Sequence, residues 1–167
     1  VPNRLVGGFD DEFQGDMVPR VTYMGNPYSC AFSGKALTFF SSRNLASPEL
    51  VEQRSIEERI DSVFYSDEYA AAIVRNTNGE YGSRLEVYKK DGTHVLSKEF
   101  NFEYTHADFD GDLIILYNED SCRIYNMSGT EKFDATFDFP VSKIRKGRFP
   151  GTLVVTGPQQ MRELKLR

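Results

Sequence analysis

Two short sequence phrases recur four times along the chain, and this repeat restricts the fold more than any other feature. The first phrase is an aromatic residue, a turn and an apolar run. Its copies begin at Tyr23, Tyr65, Phe109 and Phe149, at spacings of 42, 44 and 40 residues. Self-similarity at a period between about 20 and 50 residues indicates a repeat architecture in which each copy is one supersecondary unit.

The second phrase follows the first in each unit and supplies a hairpin turn. Residues 85–93, LEVYKKDGT, align with residues 122–130, CRIYNMSGT, and residues 37–44, LTFFSSRN, fit the same frame. Asp-Gly and Ser-Gly between apolar residues predict a β-hairpin, and the Asn of the third copy tolerates the left-handed backbone of such a turn. The fourth copy, near Leu164, stops before its turn.

Each unit is therefore predicted to form four short antiparallel strands. In the clearest unit the predicted strands are 104–108, 113–117, 123–125 and 132–137. The second strand of every unit is almost continuously apolar, as in LIIL at 113–116. Such runs are typical of strands covered on both faces, and stacked neighbouring sheets would provide the cover. The 13 Phe and 9 Tyr residues also suit half-buried pleated surfaces.

Four-stranded units of this length with turn glycines are typical of β-propeller blades. We predict an all-β, WD40-like propeller domain over residues 1–167 with about four blades. The predicted parts are a lead-in strand and linker at 1–17, blades at 18–59, 60–103 and 104–140, and an incomplete blade at 141–167. Little or no helix is predicted; the one place where a short helix would fit is SPELV, 47–51, where Ser would cap and Pro would occupy the first turn.

The lead-in strand, RLVGGF at 4–9, has no unit of its own. It serves either as the fourth strand of the last blade, which closes a four-bladed ring, or as the last strand of a preceding blade. Because four blades is the smallest propeller size, we favour a partial, larger propeller. Part of a ring exposes sheet faces at its end blades, so a homodimer through those faces is also predicted.

Charge and composition narrow the class of partner. The net charge of −5 and the pI of about 5.1 argue against nucleic acid or an anionic membrane surface as the main partner. One basic run goes against this trend and is predicted to be the solvated side of a strand; it consists of Lys143, Arg145, Lys146 and Arg148. No run approaches 18 apolar residues, so no membrane span is predicted within the chain.

The two cysteines, Cys30 and Cys122, both lie in apolar runs. Two buried thiols are the favoured prediction, and a single disulfide between them is the alternative. A domain of 167 residues has enough core to fold without such a bridge. The two cysteines therefore do not decide whether the protein lies in an oxidising or a reducing compartment.

An acidic turn in the third unit is the candidate metal site. Asp108, Asp110 and Asp112 alternate around Gly111, and carboxylate oxygens are the ligands that Ca²⁺ prefers. However, a calcium loop places its glycine after a third acid and adds a bidentate Glu further on. The equivalent turns of the other units form without three acids. We therefore predict a turn and no metal at this position.

Other candidate residues fit a structural role better than a catalytic one. His106 and Asp108 share a strand face and resemble an acid–base pair, but no nucleophile motif accompanies them. His94 is predicted to be exposed. Near the unit boundaries lie Glu57, Glu58 and Glu103, where a glycosidase-type carboxylate pair could sit, but their sequence context is ordinary. No P-loop, dinucleotide fingerprint, zinc pattern or nucleophile elbow occurs, so neither a catalytic residue nor a cofactor is predicted.

The series AAAIVRN…SRLEVYKKDGT, DLIILYN…CRIYNMSGT and LVVT…LKLR resembles an uncharacterised family of bacterial proteins found mainly in Gram-positive anaerobes. The resemblance covers residues 18–167 and lies in structural motifs. It implies a single-pass membrane protein with an extracellular propeller-like domain, of which this chain is the C-terminal half. The membrane anchor would then lie outside this chain, and no catalytic residue is carried over.

The predicted function is a non-enzymatic binding or scaffolding module of a cell-surface protein, with a protein or other cell-surface partner. Its working surface would be the loops that connect the blades, since loops vary freely on a rigid frame. The alternative is an enzyme or a small-ligand-binding propeller with its site in a central channel. Polar residues from several blades would then converge on that channel.

Overall fold

The computed structural model describes Phe9, Val18 and residues 20–166, and its regular structure there consists of β-strands. Sheet 1 contains β1 (Arg20–Tyr23), β2 (Tyr28–Phe32), β3 (Ala36–Ser41) and β4 (Glu49–Ser55). Sheet 2 contains β5 (Ile60–Tyr65), β6 (Tyr69–Arg75), β7 (Ser83–Lys89) and β8 (His94–Phe100). Sheet 3 contains β9 (His106–Asp110), β10 (Leu113–Tyr117), β11 (Ser121–Asn126) and β12 (Glu131–Thr136). Sheet 4 contains β13 (Lys143–Lys146), β14 (Thr152–Thr156) and β15 (Met161–Lys165).

Every sheet is an antiparallel meander whose strands lie side by side in chain order. This topology confirms the predicted all-β class with propeller-like, four-stranded units. The repeat extends to irregularities, because a β-bulge interrupts the pairing of the third and fourth strands at equivalent places. The register shifts between Phe39 and Phe40, between Val87 and Tyr88, and between Ile124 and Tyr125.

The apolar second strands of sheets 2 and 3 are buried, as predicted, whereas buried and half-buried residues alternate along β14. All five residues of β10 are buried, and so are residues 70–74 of β6. Burial of both faces removes the alternation of apolar and polar residues that a half-solvated strand shows. The first phrase therefore marks the interior strand of each sheet.

Two compact units divide the chain after Phe100. In the first unit, sheets 1 and 2 share an apolar core. Sheet 1 and its flanking residues contribute Met24, Cys30, Phe32, Leu37, Phe39 and Ile56, and sheet 2 contributes Ala70, Ala72, Val74 and Tyr88. The layer is continuous, so the two sheets stabilise each other by removing apolar area from water.

In the second unit, sheets 3 and 4 share a separate core. It contains Leu113, Ile115, Tyr117, Cys122 and Ile124 from sheet 3, Phe137 and Phe139 from the connecting segment, and Ile144, Leu153 and Val155 from sheet 4. Within the part of the chain that the structure describes, no helix is long and apolar enough to cross a bilayer.

The described residues contain little or no helix, as predicted, and two local details differ from what the sequence suggested. The segment 47–51 is not helical: the Ser47 amide donates to the Asn44 carbonyl in a turn, and β4 begins at Glu49. The pairing of Leu50 with Phe40 outweighs the local helix-cap signal. The first strand of the third unit was predicted at 104–108 but spans His106–Asp110, because only two residues form the turn between this strand and β10. The predicted strand at 4–9 lies outside the described residues, apart from Phe9.

Candidate binding surfaces

The face of sheet 1 turned away from the first unit's core exposes apolar side chains on its edge strand, β1. Alternation along the strands places Val21, Tyr23, Ser29, Ala31 and Phe40 on this side, which we call the outer face. Val21 is 65% exposed and Tyr23 is 67% exposed. Contiguous exposed apolar side chains of this kind mark interaction sites.

An apolar groove runs along the outer face. The Phe9 ring lies 4.8 Å from the Phe40 ring, centroid to centroid. Phe9 and Val18 line the groove together with Val21, Ala31 and Phe40, and its volume is about 430 Å³. A side chain from the segment before β1 therefore already occupies one end of this surface.

A second concavity is polar and lies between β4 of sheet 1 and the strands β7 and β8 of sheet 2. It has a volume of about 450 Å³ and its polar lining includes Arg54, Glu58, Arg84, Glu86, Tyr88 and His94. We call it the charged cleft. The residues of β7 reach it because alternate positions of that strand face sheet 1.

Glu86 is the centre of the charged cleft and is almost fully buried. One carboxylate oxygen accepts hydrogen bonds from Arg84 Nε at 2.6 Å and from Ser97 Oγ at 2.7 Å. The other carboxylate oxygen lies 3.1 Å from His94 Nε2. A buried carboxylate requires this degree of pairing, since an unpaired charge in a protein interior is costly.

Arg84 links Glu86 to the segment that connects the two sheets. Its Nη1 donates to Glu58 Oε1 at 2.7 Å. This hydrogen bond holds the pKa of the Glu58 carboxyl below its ordinary value, and the same contact raises the pKa of Arg84. Among the described residues, no buried side-chain nitrogen or oxygen lacks a hydrogen-bond partner. The cleft is thus a self-neutralising network that ties sheet 2 to the segment between the two sheets.

Sequence reasoning considered Glu58 only as half of a catalytic carboxylate pair and missed Arg84 and Glu86. In RLEVY the charged residues alternate with apolar ones, which is also typical of a strand with one solvated side, so nothing in the sequence showed that Arg84 and Glu86 are largely buried. His94 is exposed, as predicted, but it also packs edge-on against Tyr88, with ring centroids 5.5 Å apart. Its exposure therefore did not reveal its contact with Glu86.

The acidic turn of the third unit lies against β13 of sheet 4. Asp112 Oδ1 pairs with Lys146 Nζ at 2.7 Å, and Asp110 Oδ2 accepts a hydrogen bond from the Lys146 backbone amide. The Lys146 side chain holds the pKa of Asp112 below its ordinary value. Asp108 Oδ1 accepts from the Phe109 amide at 2.9 Å. Lys146 thus supplies the positive charge that the turn attracts.

No group of three or more His, Cys, Asp or Glu side chains in the described part of the chain is arranged to hold a metal ion. His106 stacks on Tyr117, with ring centroids 4.8 Å apart and planes at 8°. Its Nδ1 lies 3.0 Å from Thr105 Oγ1. These contacts fix the His106 ring through its neighbours in sheet 3, which suits a structural histidine.

Cys30 and Cys122 are free and buried, which confirms the favoured prediction of two thiols. Burial raises the pKa of each thiol to about 12. Because the thiolate is the reactive form, both cysteines are expected to be unreactive towards oxidants and alkylating agents in the folded protein.

The basic run follows the predicted pattern of a strand with one solvated side over Lys143–Lys146, whereas Arg148 lies beyond the end of β13. Ile144 is buried, whereas Lys143, Arg145 and Lys146 are exposed. Lys146 is committed to the acidic turn. The run thus contributes to sheet pairing and to the core of the second unit through Ile144.

Comparison with known proteins assigns the chain to a family. Residues 1–166 match a family described as a family of unknown function, DUF5711. The chain belongs to this family. No match was found among curated proteins.

Solved structures with a similar fold are β-propellers. Saccharomyces cerevisiae Sqt1 is 13% identical over 95% of this chain and 48% of its own length, with a TM-score of 0.57. Residues 644–1017 of HIRA are 10% identical over 86% of this chain and 49% of that chain, with a TM-score of 0.56. BBS1N, solved in complex with ARL6DN, is 7% identical over 90% and 53%, with a TM-score of 0.55. The chain spans about half the length of these propeller structures, and the likeness concerns the fold alone.

Proposed function

We propose that this chain is a non-enzymatic binding or scaffolding module of a cell-surface protein. The observation that carries the proposal is the outer face of sheet 1, an apolar surface that is built on a hydrogen-bonded sheet and exposed at Val21 and Tyr23. A rigid sheet presents such side chains at little entropic cost, which favours protein binding. BBS1N, a propeller of similar fold, was solved in complex with the protein ARL6DN.

The charged cleft supports a structural rather than a catalytic reading of the first unit. Glu86, Arg84 and Glu58 are bound to one another at distances of 2.6 and 2.7 Å. A catalytic acid or base needs a free position from which to reach its substrate. Here the hydrogen-bonding capacity is spent within sheet 2 and on the segment that connects sheet 1 to sheet 2, and binding is left to the exposed surfaces.

The cellular setting is part of the proposal. The resemblance described above supports an extracellular, membrane-anchored bacterial protein in which this chain is the C-terminal half. Protease treatment of intact cells that produce the full-length protein with a C-terminal tag should remove the tag without lysis. Protection of the tag until the cells are lysed would exclude the extracellular placement.

Site-specific photocrosslinking in those cells tests the binding role. A photoreactive phenylalanine analogue replaces Tyr23 on the outer face, and in a matched control it replaces Met161, an exposed residue of sheet 4. The proposal expects discrete protein adducts from position 23 and none from position 161. Absence of any protein adduct at position 23 would contradict the proposal, and the mass of an adduct identifies whether the partner is the same chain or another protein.

A further inference from the structure

The loop between β6 and β7 contains Asn78–Gly79, the only Asn-Gly dipeptide in the 167-residue sequence. The loop runs from Asn76 to Gly82 and has no helix or strand of its own. The Asn76 amide donates to the Gly82 carbonyl at 3.0 Å and closes the loop at its base. Residues 77–82 are all exposed. Exposed loop tips of this kind tolerate covalent change, because few contacts hold their backbone.

The side chain of an asparagine that precedes glycine is open to attack by the backbone nitrogen of that glycine. Glycine has no Cβ, so no side chain shields its amide nitrogen. In the described part of the chain, the Gly79 amide donates no hydrogen bond and the Asn78 side chain makes none. Both reacting groups are therefore exposed to water and free to approach each other.

Other asparagine side chains of the protein are held by hydrogen bonds. Asn118 Oδ1 accepts from the Ser121 amide at 2.9 Å, and Asn118 Nδ2 donates to the Glu103 carbonyl at 2.6 Å. Asn126 Oδ1 accepts from the Ser128 amide at 3.1 Å. Such bonds to nearby backbone are the usual role of asparagine in turns, and they restrict rotation of the carboxamide. The asparagine before glycine in the β6–β7 loop has no such restraint.

The hairpin turn of sheet 2 shows how the fold can protect a glycine nitrogen. The Gly92 amide donates to the Lys89 carbonyl at 2.9 Å, and Asp91 Oδ1 accepts from the Thr93 amide at 3.0 Å. Attack of the Gly92 nitrogen on the side chain before it would have to break both hydrogen bonds. The same kind of dipeptide is therefore protected in this turn and unprotected in the β6–β7 loop.

We propose that Asn78 is a site of spontaneous deamidation, with water as the co-reactant. The Gly79 amide nitrogen gives its proton to a base in the solvent and attacks Asn78 Cγ, and the new C–N bond closes a succinimide ring. The C–N bond of the side-chain amide breaks, and its nitrogen takes up a proton and leaves as ammonia. Water then opens the ring at either carbonyl carbon. One opening gives aspartate, and the other gives isoaspartate, whose backbone runs through the side-chain carboxyl carbon. This inference goes beyond the proposed binding role and does not depend on it.

Either product changes the loop and the contact beneath it. The new carboxylate lies two residues from Glu80, so the loop gains a second acid. Gly79 lies directly over buried Asn76, since a Cβ added at Gly79 would overlap Asn76 Nδ2. That nitrogen donates to Glu99 Oε1 at 2.9 Å. Isoaspartate adds a methylene carbon to the backbone beside Gly79, so it displaces the loop from this contact. An aged copy of the protein therefore presents a more acidic and rearranged β6–β7 loop, on a part of the surface where proteins carry variable binding residues.

Peptide mapping of the folded 167-residue chain after prolonged incubation in neutral buffer tests the proposal. Trypsin cuts after Arg75 and Arg84, so one fragment carries both Asn78 and the buried Asn76. Asn78 is expected to gain about one dalton as the amide becomes a carboxyl group, in two products that separate by chromatography. Asn76 should stay unchanged in the same fragment and serves as an internal control. Asn78→Gln should also stay unchanged, because the longer side chain does not form the succinimide.

Two comparisons measure what the fold contributes. A free peptide of residues 76–84 gives the unprotected rate, and Asn78 in the folded chain should be modified within a few-fold of that rate. Asp91→Asn places an Asn-Gly dipeptide in the protected hairpin turn, and position 91 should be modified several-fold more slowly than Asn78 in the same sample. Circular dichroism confirms that this variant is folded. If Asn78 stays intact in the folded chain while the free peptide is modified, the proposal is overturned. Equal rates at positions 78 and 91 also overturn it, because exposure of the loop would then not select the site.

Discussion

The two units join a pair of sheets by different means. In the first unit, the contact between the sheets combines an apolar core with the charged cleft around Glu86. In the second unit the shared core is apolar, and the ion pairs of Asp112 with Lys146 and of Asp138 with Arg162 are exposed. The comparison shows that the repeat specifies strand geometry and leaves the chemistry between the sheets free to differ.

One position in the third strand of sheets 2 and 3 shows that the charge of a side chain can differ between equivalent sites. Glu86 in sheet 2 and Arg123 in sheet 3 occupy equivalent places in the hairpin phrase but carry opposite charges. Each finds partners in its own unit: Glu86 accepts from Ser97, and Arg123 donates to Asp134 at 2.6 Å and lies over the Phe102 ring. Local pairing of this kind lets a charge be reversed without disturbing the fold.

Substitution of a turn glycine is expected to give the largest difference between the two units in the free energy of unfolding. Gly92 has a φ of +84° and a Cβ added there would lie 2.6 Å from Glu52 Cβ and 3.0 Å from Phe39 Cδ2 of sheet 1. Gly92→Ala should therefore lower the free energy of unfolding by about 3 kcal/mol, from left-handed strain and overpacking together. Gly151, at a φ of +72°, has nothing within 4 Å of that position. Gly151→Ala should cost about 1 kcal/mol, and equal losses in urea titrations would show that the first unit's turn is not packed as described.

Removal of the central cation of the charged cleft should produce the next largest effect. Arg84→Met leaves Glu86 buried beside fewer donors and frees Glu58, so we expect a loss of about 2 kcal/mol, below the value for a fully buried pair because Arg84 is partly exposed. The matched control is Arg162→Met in the second unit, whose partner Asp138 is solvated. That change should cost less than about 1 kcal/mol. Losses of the same size would contradict the contrast between a buried network and an exposed pair.

The sequence predicted the features that depend on neighbours along the chain. The apolar run at 113–116 and the following hairpin phrase were sufficient to predict β10, β11 and the turn between β11 and β12. Local signals also misled: Phe149 was aligned with Phe109, yet it is 61% exposed whereas Phe109 is 8% exposed. The difference arises because Leu153 pairs with Lys146 across a long turn, whereas Leu113 pairs with Asp110 across two residues.

The charged cleft was not predictable in the same way. Glu86 and Arg84 alternate with apolar residues, as the wet side of any strand does, so only a partner from elsewhere in the unit reveals their burial. That partner, Glu58, lies 26 residues earlier, in the segment between sheet 1 and sheet 2. Similarly, the acids of the turn at 108–112 suggested a cation site, whereas Lys146, 34 residues after Asp112, provides the cation.

The pH dependence of stability tests the role of Glu58. Because Arg84 lowers its pKa below the ordinary 4.5, Glu58 contributes stability that is present above pH 4.5 and is lost as the pH falls through the folded-state pKa. At pH 7, Glu58→Gln should lose about 1 kcal/mol relative to wild type. The gap should close in urea titrations repeated at successively lower pH. A gap that stays constant down to pH 3 would mean that the carboxylate charge is not what Arg84 binds.

The smallest effect is expected at the exposed contact of the second unit. Asp112 and Lys146 are both substantially solvated, so Lys146→Met should cost only about 0.5 kcal/mol at low salt. The loss should shrink further in 0.5 M salt, where charges on the surface are screened, whereas the loss in Arg84→Met should change little. Since the pKa of Asp112 lies below its ordinary 3.8, the contribution is present above that pH and disappears as the carboxylate is protonated.

The control for Lys146→Met is Lys143→Met, which removes an exposed lysine of the same strand. If both variants lose the same stability, the effect comes from the charge of the strand in general and not from the contact with Asp112. Equal salt sensitivity in Arg84→Met would instead show that the charged cleft is as open to solvent as the contact between Asp112 and Lys146.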